Sequence, residues 1–348
     1  MIKIAIVGCG RIFYKHKSAI EQSLKNKAII TGVCDSNKIL ADKASLELNV
    51  PAFYDINELI KNCSFDLVSI LTPSGLHSKH VISFAGKCPY IIVEKPMCLN
   101  YEEGLQMVDI CSTNNTSLFV VKQNRFNKPV IKLKSAIDNN DLGKIFLGTS
   151  RVRWTRTTEY YDQASWRGTW NLDGGVMANQ ASHHLDLLNW FLGGDPKSVF
   201  AKSIHCNKKI QAEDTATVII DYGDDKLGLF EATTATRPKD LEGSVSILGA
   251  KGTVEIGGFA VNELKTWQID GESELIDQSK YATKPPNVYG FGHEEFYKDI
   301  FRCINQNVKP LLTGEEGLKV VKLLNAIQSS IHLKKEINLD QKNFITPY

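Results

Sequence analysis

Short apolar runs alternate with amphipathic segments along the first third of the chain. Five apolar runs predict buried strands: Lys3–Val7, Ala28–Cys34, Asp66–Leu71, Tyr90–Val93 and Leu118–Val121. Segments between them, such as Ile39–Leu48 and the run from about Tyr101 to Cys111, have the apolar spacing of helices. Strands and helices that alternate in this way predict a doubly wound parallel sheet, with ligands at the carboxyl ends of its strands.

The pattern changes from about Pro129 onward. A helix is predicted at Ile131–Asn139. Runs that alternate between apolar and polar residues surround and follow the middle of the chain: Lys144–Trp154, Ser198–His205, Thr215–Tyr222, Lys226–Thr234, Glu242–Leu248 and Gly252–Ile256. Such alternation is typical of antiparallel strands with one covered face. The predicted fold class is therefore α/β, with an N-terminal doubly wound parallel sheet and a C-terminal α+β domain built on a mainly antiparallel open sheet.

Length and composition bound the classes of function. A chain of 348 residues favours two domains, which we place at residues 1–124 and 125–348. The formal net charge of +2 gives no electrostatic footprint for nucleic acid or a membrane surface. No segment approaches roughly 18 consecutive apolar residues, so we expect a cytoplasmic protein. The eight cysteines form no CxxC pair and are expected to be reduced, and no metal site is predicted because neither Cys nor His has metal-ligand spacing.

The first predicted strand ends in a glycine-rich turn, Gly8-Cys9-Gly10-Arg11-Ile12, before a helical stretch. This context brings backbone N–H groups against a pyrophosphate, although Phe13 replaces the third glycine of the usual fingerprint. The second strand ends in Asp35, which can accept both ribose hydroxyls of NAD and repels the extra phosphate of NADP. The sequence therefore predicts a dinucleotide-binding first domain that favours NAD. A solvated loop aspartate is the alternative for Asp35, and Lys38 nearby leaves room for NADP.

Polar residues fall where the later parallel strands end, and we predict that they bind the cofactor: Thr72, Pro73, Ser74, His77, Glu94, Lys95 and Asn124. Pro96 fixes a sharp turn after Lys95. A lysine there, beside a nicotinamide, can hydrogen-bond a substrate hydroxyl and stabilise the alkoxide that develops as hydride leaves. The alternative is a surface ion pair between Glu94 and Lys95, but adjacent residues at a strand end point in opposite directions.

A second candidate site lies in the segment Asp173–Asp186. Asp173 is predicted to cap a helix on which Asn179, His183 and Asp186 share one face, because they are spaced four and three residues apart. A polar face of amide, imidazole and carboxylate among leucines is costly to bury unless its groups are paired. We interpret it as catalytic. The alternative is a partly exposed helix with a satisfied histidine.

The stretch before this segment is rich in arginine and aromatic residues. Its guanidinium groups suit a diphosphate or uronate, and its rings suit a nucleobase. The predicted substrate-binding residues are Arg153, Arg156, Tyr160, Tyr161, Trp166, Arg167 and Thr169, together with Asn179. The alternative is that these residues seal an interface between domains.

These residues resemble the Gfo/Idh/MocA family of nicotinamide-dependent oxidoreductases. The resemblance covers essentially the whole chain and includes the glycine turn, Asp35, Glu94-Lys95-Pro96 and the segment around His183. It implies a Rossmann first domain, C-terminal helices that pack back near it, and a lysine and a histidine that face the substrate across the nicotinamide. The family has an acid four residues before that histidine. Asn179 stands there instead, which implies that it binds substrate by hydrogen bonds and takes no proton.

A narrower resemblance is to the WlbA-type branch, and it is carried by Arg153-Trp154-Thr155-Arg156, Tyr160-Tyr161-Asp162, Trp166–Trp170 and Asn179–His184. It implies NAD-dependent oxidation of the 3-hydroxyl of a UDP-N-acetyl-hexosamine or its uronic acid, giving a 3-keto sugar for amino-sugar and surface polysaccharide biosynthesis. His183 would be the general base, Lys95 would polarise the same oxygen, and Asn179 or Asp186 would orient the histidine or the sugar. A homodimer or homotetramer is expected.

Two alternatives remain open on this scaffold. One is a dehydrogenase or reductase of another sugar nucleotide or of a free polyol, and the other is a non-catalytic NAD-binding sensor. The sequence does not distinguish the uronate from the parent hexosamine. It also leaves open whether NADH is released or is recycled by a 2-oxo acid.

Overall fold

The computed structural model describes residues 1–271, 277–283, 290–306, 308, 310–341 and 343–348. The chain forms two compact units. One comprises Met1–Val121 and His293–Leu318, and the other comprises Lys122–Gly292 and Lys319–Tyr348. Within the described ranges, no helix combines the length and the apolar character needed to cross a lipid bilayer.

The first unit is built on a six-stranded parallel sheet in the order β3-β2-β1-β4-β5-β6. Its strands are β1 (Ile2–Val7), β2 (Ala28–Cys34), β3 (Ala52–Phe53), β4 (Leu67–Ile70), β5 (Tyr90–Val93) and β6 (Ser117–Val120). Its helices are α1 (Phe13–Ser23), α2 (Lys38–Leu48), α3 (Ile56–Asn62), α4 (His77–Phe84) and α5 (Tyr101–Thr113). The central strands are buried along their length, as expected for a parallel sheet covered on both faces. The predicted doubly wound sheet is confirmed.

Side-chain caps fix the starts of three helices in this unit. Asn37, Asp55 and Asn100 each accept a hydrogen bond from a backbone N–H group in the first turn of α2, α3 and α5. By contrast, α1 begins after the glycine turn with no side-chain cap. At this start, the Phe13 N–H group donates to the Gly10 carbonyl oxygen at 3.2 Å and the Lys15 N–H group donates to that of Ile12 at 2.9 Å.

The second unit contains the helices α6 (Lys128–Asp138), α7 (Thr158–Asp162) and α8 (Ser182–Phe191). In chain order, the first seven strands of its sheet are β7 (Ile145–Arg153), β8 (Ser198–Ile204), β9 (Thr215–Asp221), β10 (Leu227–Thr233), β11 (Glu242–Gly249), β12 (Gly252–Gly257) and β13 (Glu263–Ile269). The chain continues through α9 (Gly292–Gln306), α10 (Gly314–Leu333) and β14 (Ile337–Asn338). The strand order is β13-β12-β11-β7-β10-β9-β8-β14. Strands β7 and β10 pair in parallel and the other neighbours pair antiparallel, which confirms a mainly antiparallel second sheet.

One face of this sheet lies against α8, and glycines allow the close approach. A Cβ atom at Gly148 of β7 would lie 2.9 Å from the Leu188 side chain and 3.0 Å from that of Leu192. A Cβ atom at Gly243 of β11 would lie 2.7 Å from Nε2 of His184. Strand β9 alternates buried and exposed residues, as a sheet with one covered face requires.

The helix predicted to carry Asn179, His183 and Asp186 on one face is not continuous. Residues Val176–Gln180 form a wide π-type turn, closed by a 2.9 Å hydrogen bond from the Ala181 N–H group to the Val176 carbonyl oxygen. Ala181 separates this turn from α8, so the two are distinct elements. The prediction of one continuous helix through all three residues is therefore wrong, and α8 itself carries only His183 and Asp186.

Candidate active site

The glycine turn after β1 has the geometry of a dinucleotide-binding turn. Gly8 has a φ of 101°, and a Cβ atom there would lie 2.7 Å from the carbonyl carbon and oxygen of Leu71 at the end of β4. Only glycine fits this position. The turn is also tied to β2, because the Cys9 N–H group donates to Oδ2 of Asp35 at 2.8 Å. Oδ1 of Asp35 accepts the Asn37 N–H group at 2.8 Å, which leaves further lone-pair directions on the carboxylate for ribose hydroxyls.

His77 connects two of the turns at the carboxyl edge of the first sheet. Its Nε2 lies 2.7 Å from the carbonyl oxygen of Thr72, and its Nδ1 lies 2.9 Å from that of Pro96. Burial lowers the pKa of this imidazole. The predicted cofactor residues Thr72, Pro73 and Ser74 thus belong to a turn that His77 anchors, and Ser74 begins a short 3-10 helix there.

A buried carboxylate anchors the backbone at Lys95. Oε2 of Glu94 accepts the Lys95 N–H group at 2.9 Å, and its Oε1 lies 2.9 Å from Nε2 of His16 and 3.7 Å from Nε2 of His293. Nδ1 of His16 in turn lies 2.8 Å from the Tyr297 hydroxyl. Burial raises the pKa of Glu94, but its hydrogen bond with His16 and the nearby imidazole of His293 lower it more, so the net pKa lies well below its usual value.

Sequence spacing missed this cluster, because its members come from α1, the end of β5 and α9. The potential ligand atoms of His16, Glu94 and His293 lie within 4.8 Å of one another, a composition that can hold a metal ion. In this structure Glu94 is instead engaged with His16 and with the backbone of Lys95.

The residues after β6 open the second unit and include Asn124. It lies in a short 3-10 helix, Gln123–Phe126. Oδ1 of Asn124 and Oε1 of Gln123 are buried, and neither has a hydrogen-bond partner within the described part of the chain. Unsatisfied buried acceptors of this kind are suited to a bound ligand.

Asp186 is held by two cations that the sequence reasoning did not connect to it. Arg125 donates from Nε to Oδ2 and from Nη2 to Oδ1, both at 2.8 Å, and Lys122 donates to Oδ1 at 2.5 Å. All three side chains are buried. Burial raises the pKa of Asp186, but the charges of Arg125 and Lys122 outweigh it and lower the pKa to about 2. The carboxylate therefore anchors α8 through ion pairs.

The neighbouring histidines of α8 have different surroundings. His184 is fully buried, with its ring edge-on to Trp154 at 5.5 Å between centroids and its Nε2 close to Gly243. The His183 residue is 8% exposed to solvent. His184 thus occupies the packed side of α8, against the sheet.

Asn179 is bonded to Asp173, which is not the helix cap that we predicted. The Nδ2 group of Asn179 donates to Oδ1 of Asp173, and Oδ2 of Asp173 accepts the Gly168 N–H group at 3.0 Å. Gly174 and Gly175, with φ of 80° and 81°, turn the chain back so that the two side chains meet. The cap prediction is wrong because both oxygens of Asp173 are engaged elsewhere.

The predicted substrate residues make three sets of contacts. Arg153 lies on β7 and makes a bidentate ion pair with Glu231, with both N–O distances 2.7 Å. Arg156 donates to Oε1 of Gln180 at 2.9 Å, and Gln180 donates to the Tyr160 hydroxyl at 3.0 Å. Arg167 stacks over the rings of Tyr160 and Trp166, with its guanidinium carbon 4.2 and 5.0 Å from the ring centroids, and Thr169 donates to the Trp166 carbonyl oxygen at 2.6 Å.

A cavity of about 340 Å³ lies beside residues 160–170, the arginine-rich loop. The predicted residues Tyr161 and Arg167 line it together with Asn207 and Lys209. The Tyr161 hydroxyl lies 3.1 Å from Oγ1 of Thr234, and burial raises its pKa to about 12. Lys209 was not among the predicted residues, because the loop that carries it lies far along the chain.

Glu213, a buried acid near the Asp173–Asn179 pair, was not among the residues predicted from the sequence. Glu213 is 1% exposed, and its Oε1 accepts Gln328 Nε2 at 3.2 Å and the Met177 N–H group at 3.4 Å. Its Oε2 comes so close to Gly175 that a Cβ atom there would lie 2.3 Å away. Burial raises the pKa of Glu213 to about 8, and the charge of Asp173 contributes to the increase. Glu213 is therefore largely protonated at neutral pH.

Together, these features are those of a dinucleotide-binding protein with a second unit built on a mainly antiparallel sheet. Two family models match the chain. The model described as the NAD-binding Rossmann fold of the oxidoreductase family matches residues 2–122, and the one described as its C-terminal alpha/beta domain matches residues 134–339. The chain belongs to the Gfo/Idh/MocA family of oxidoreductases. It is an enzyme that binds NAD and acts on sugars or polyols.

Solved structures and curated relatives give two kinds of neighbour. The WlbA dehydrogenase of Bordetella pertussis, solved with NADH and UDP-GlcNAcA, is 36% identical, with a TM-score of 0.88 and coverage of 97% of this chain and 98% of that one. The corresponding enzyme of Chromobacterium violaceum, solved with the same two ligands, is 37% identical, with a TM-score of 0.89 and coverage of 97% and 95%. The myo-inositol 2-dehydrogenase of Thermotoga maritima is 23% identical over 98% of this chain and 99% of its own.

We expect replacement of Glu213 by glutamine to remove a pH dependence of stability. The pKa of this carboxyl is about 8 in the folded protein and near its usual 4.5 in the unfolded chain, so the folded state binds more protons between these values. The stabilising contribution is full below the lower pKa and is lost as the pH rises through about 8, by at most about 1.4 kcal/mol per pH unit. Glutamine keeps the Oε1 acceptor. Urea unfolding from about pH 5 to about pH 9 measures the difference.

The exposed Glu21 of α1 supplies the matched control, Glu21→Gln, whose free energy of unfolding should follow that of the wild type at every pH. The wild type should lose stability relative to Glu213→Gln as the pH rises. Parallel curves for these two proteins would contradict a protonated Glu213.

Proposed function

We propose that this protein oxidises the 3-hydroxyl of a UDP-N-acetyl-hexosamine or its uronic acid, with NAD as the oxidant, to give a 3-keto sugar for amino-sugar biosynthesis. The observation that carries the proposal is the similarity to the two WlbA dehydrogenases, which extends over 97% of this chain at 36 and 37% identity. Both were solved with UDP-GlcNAcA. The inositol dehydrogenases are more distant, at 23 and 22% identity.

The arginine-rich loop supports a nucleotide-sugar over a free polyol. A nucleotide-sugar carries a diphosphate, which needs cationic donors, and a base, which needs an aromatic or planar surface. Arg167 and Lys209 bring two cations to one cavity, and Arg167 is stacked on Tyr160 and Trp166. A polyol such as inositol requires neither feature.

The proposed chemistry divides the work among four side chains. Bound NAD would supply the hydride acceptor for carbon 3. His183 removes the hydroxyl proton as general base, since a near-neutral imidazole is suited to that step, and Lys95 donates a hydrogen bond to the same oxygen. Asn179 hydrogen-bonds the sugar. Asp186 acts through α8, because its ion pairs with Lys122 and Arg125 hold the helix that carries His183.

For the cofactor, we propose that the N–H groups of Gly10, Arg11 and Ile12 bind the pyrophosphate and that Asp35 binds the adenosine ribose. Gly8 would contribute through the shape of the turn, because its own N–H group donates to the Cys34 carbonyl oxygen at 2.8 Å. The uncapped start of α1 supports the first assignment, and the fixed carboxylate of Asp35 supports the second. The turn at Thr72–Ser74, anchored by His77, and Asn124 are proposed to complete the site. Glu94 is proposed to contribute indirectly, through the backbone of Lys95.

A panel of substrates tests the proposed activity. We expect UDP-N-acetylglucosamine or its uronate to reduce NAD, with myo-inositol and free hexosamines giving little or no NADH absorbance. The enzyme should be used at a concentration comparable to that of the substrate, with and without a 2-oxo acid, so that a single turnover is seen even when NADH stays bound. Reduction of NAD by inositol alone would instead favour the polyol alternative.

Within this experiment, His183→Asn and Lys95→Ala should each lower kcat by roughly a hundredfold or more while NADH binding stays nearly intact. His332→Asn is the matched control, because His332 is exposed near the end of α10. Wild-type turnover by His183→Asn would remove the assignment of the base.

We expect Asp35→Asn to shift the cofactor preference. Loss of the charge weakens the hydrogen bonds from the ribose hydroxyls and relieves the repulsion of the NADP phosphate, so the NAD-to-NADP affinity ratio should fall by roughly tenfold or more. Asp55→Asn is the matched control, because Asp55 is also a loop aspartate that accepts a backbone N–H group. Titration by intrinsic fluorescence measures both affinities. An unchanged ratio would exclude Asp35 as the ribose ligand.

The uncovered face of the second sheet supports an oligomer. Ile219 and Leu229 are partners on β9 and β10 and are 49 and 39% exposed, with Leu227 beside them at 44%. Apolar residues in such a patch favour subunit pairing. We propose that this face joins subunits in a homodimer or homotetramer.

For this interface we expect the double variant Ile219→Glu/Leu229→Glu to sediment as a monomer, because paired subunits would have to bury both carboxylates. Leu46→Glu, at an exposed leucine of α2, should keep the mass of the wild type. Sedimentation velocity measures the mass of each protein. A wild-type monomer, or a double variant of unchanged mass, would rule out this face.

A further inference from the structure

We propose that Asp173 is a positioning residue that fixes the amide of Asn179, so that Asn179 offers a carbonyl oxygen, and not a proton-accepting group, to the sugar. The inference deepens the proposed function and rests on it. It assigns a role to a residue that our sequence reasoning treated only as a helix cap, and it is carried by the hydrogen bonds around Asp173.

Asp173 is 4% exposed, and both of its oxygens are engaged. Oδ2 accepts the Gly168 N–H group from the arginine-rich loop, and Oδ1 accepts Nδ2 of Asn179 from the π-type turn. The same carboxylate therefore holds the loop and Asn179 together. Gly174 and Gly175 make this possible, because their positive φ angles reverse the chain between the two partners.

The chemistry of this pair decides which way the amide points. An ionised carboxylate has only acceptors, so only the NH2 group of Asn179 can face it. The carbonyl Oδ1 of Asn179 must then point away from Asp173, and it lies 3.4 Å from Nε2 of Gln180. Without a charged neighbour, an asparagine amide can adopt either of two flipped orientations.

Gln180 extends this arrangement to the proposed substrate residues. Its Oε1 accepts Arg156 Nε at 2.9 Å, and its Nε2 donates to the Tyr160 hydroxyl at 3.0 Å. Hydrogen bonds through Gln180 therefore link the oriented amide of Asn179 to the loop whose side chains we propose to contact the nucleobase and the diphosphate. A change at Asp173 should be felt in the handling of substrate more than in cofactor binding.

Of the two neighbouring acids, Asp173 and Glu213, only Asp173 carries a negative charge at neutral pH in this proposal. Two ionised carboxylates in contact repel each other, and burial makes the repulsion larger. Burial, with a contribution from the charge of Asp173, raises the pKa of Glu213 to about 8, so Glu213 adds no second negative charge to that of Asp173 at neutral pH. A neutral carbonyl that accepts a hydrogen bond takes no proton from the sugar hydroxyl, so the proton is left for His183.

An exchange of the two residues tests the proposal. Three variants are compared with the wild type: Asp173→Asn, Asn179→Asp and the double exchange Asp173→Asn/Asn179→Asp. Asp225→Asn, at an exposed aspartate, is the control and should leave turnover unchanged. The measurements are kcat and KM for the active sugar nucleotide as a function of pH, the NADH affinity, and urea unfolding of each protein.

Asp173→Asn should lower kcat about tenfold with NADH affinity retained, because a single hydrogen bond that orients the amide is lost. Asn179→Asp places two carboxylates in contact, so its pH profile should gain a new ionisation. The double exchange restores one acid and one amide, with an acceptor still facing the sugar. It should lose the new ionisation and recover kcat to within about threefold of the wild type.

A merely structural role predicts a different pattern, in which kcat follows the folded fraction and the pH profile stays that of the wild type. That pattern, or wild-type kcat in Asp173→Asn, would overturn the positioning role and leave the proposed function intact. A wild type inactive on every sugar nucleotide would overturn both. Should a single variant fail to fold, recovery of both folding and kcat in the double exchange supports the pair, and a double exchange that folds but stays inactive overturns it.

Discussion

The carboxylate of Asp186 is almost fully buried, and it stays ionised because Arg125 and Lys122 are hydrogen-bonded to it. Burying a charge is costly, and it is tolerated only where partners and geometry compensate. Here the compensation comes from residues that directly follow the last strand of the first sheet along the chain. The ion pairs therefore connect α8, which carries His183, to the point where the second unit begins.

A buried carboxylate has a similar role at Lys95. Glu94 is held by His16 and accepts the backbone N–H group of Lys95, so Lys95 is fixed through its main chain. In each unit, a buried acid fixes the position of a residue to which we assign a catalytic role. Glu94 fixes the backbone of Lys95, and Asp186 fixes the helix that carries His183. Such groups rigidify a site because removing either partner would leave a buried charge uncompensated.

Much of the fold follows from local patterns in the sequence. The buried strands β1, β2, β4, β5 and β6 and the switch to alternating strands were predicted because apolar periodicity is a property of neighbouring residues. The glycine turn was predicted because its residues are also neighbours in the sequence. The π-type turn at Val176–Gln180 was not, because its cause is not local: the Val176 N–H group bonds to the carbonyl oxygen of Glu213, and Glu213 also reaches the Met177 N–H group.

The same distinction separates the predicted site residues from the missed ones. Residue types such as Lys95, His183 and Arg167 indicate their chemistry in the sequence. The buried acids near the proposed site instead have partners far along the chain: Glu94 with His16, Asp186 with Lys122, and Glu213 with Gln328. These pairings decide which acids are charged. Asp186 and Glu94 are ionised because cationic or hydrogen-bonding partners face them, whereas Glu213 holds its proton because it is buried with neutral donors and near Asp173. The sequence shows where the carboxyl groups lie along the chain, but their surroundings in the folded protein determine which of them are protonated.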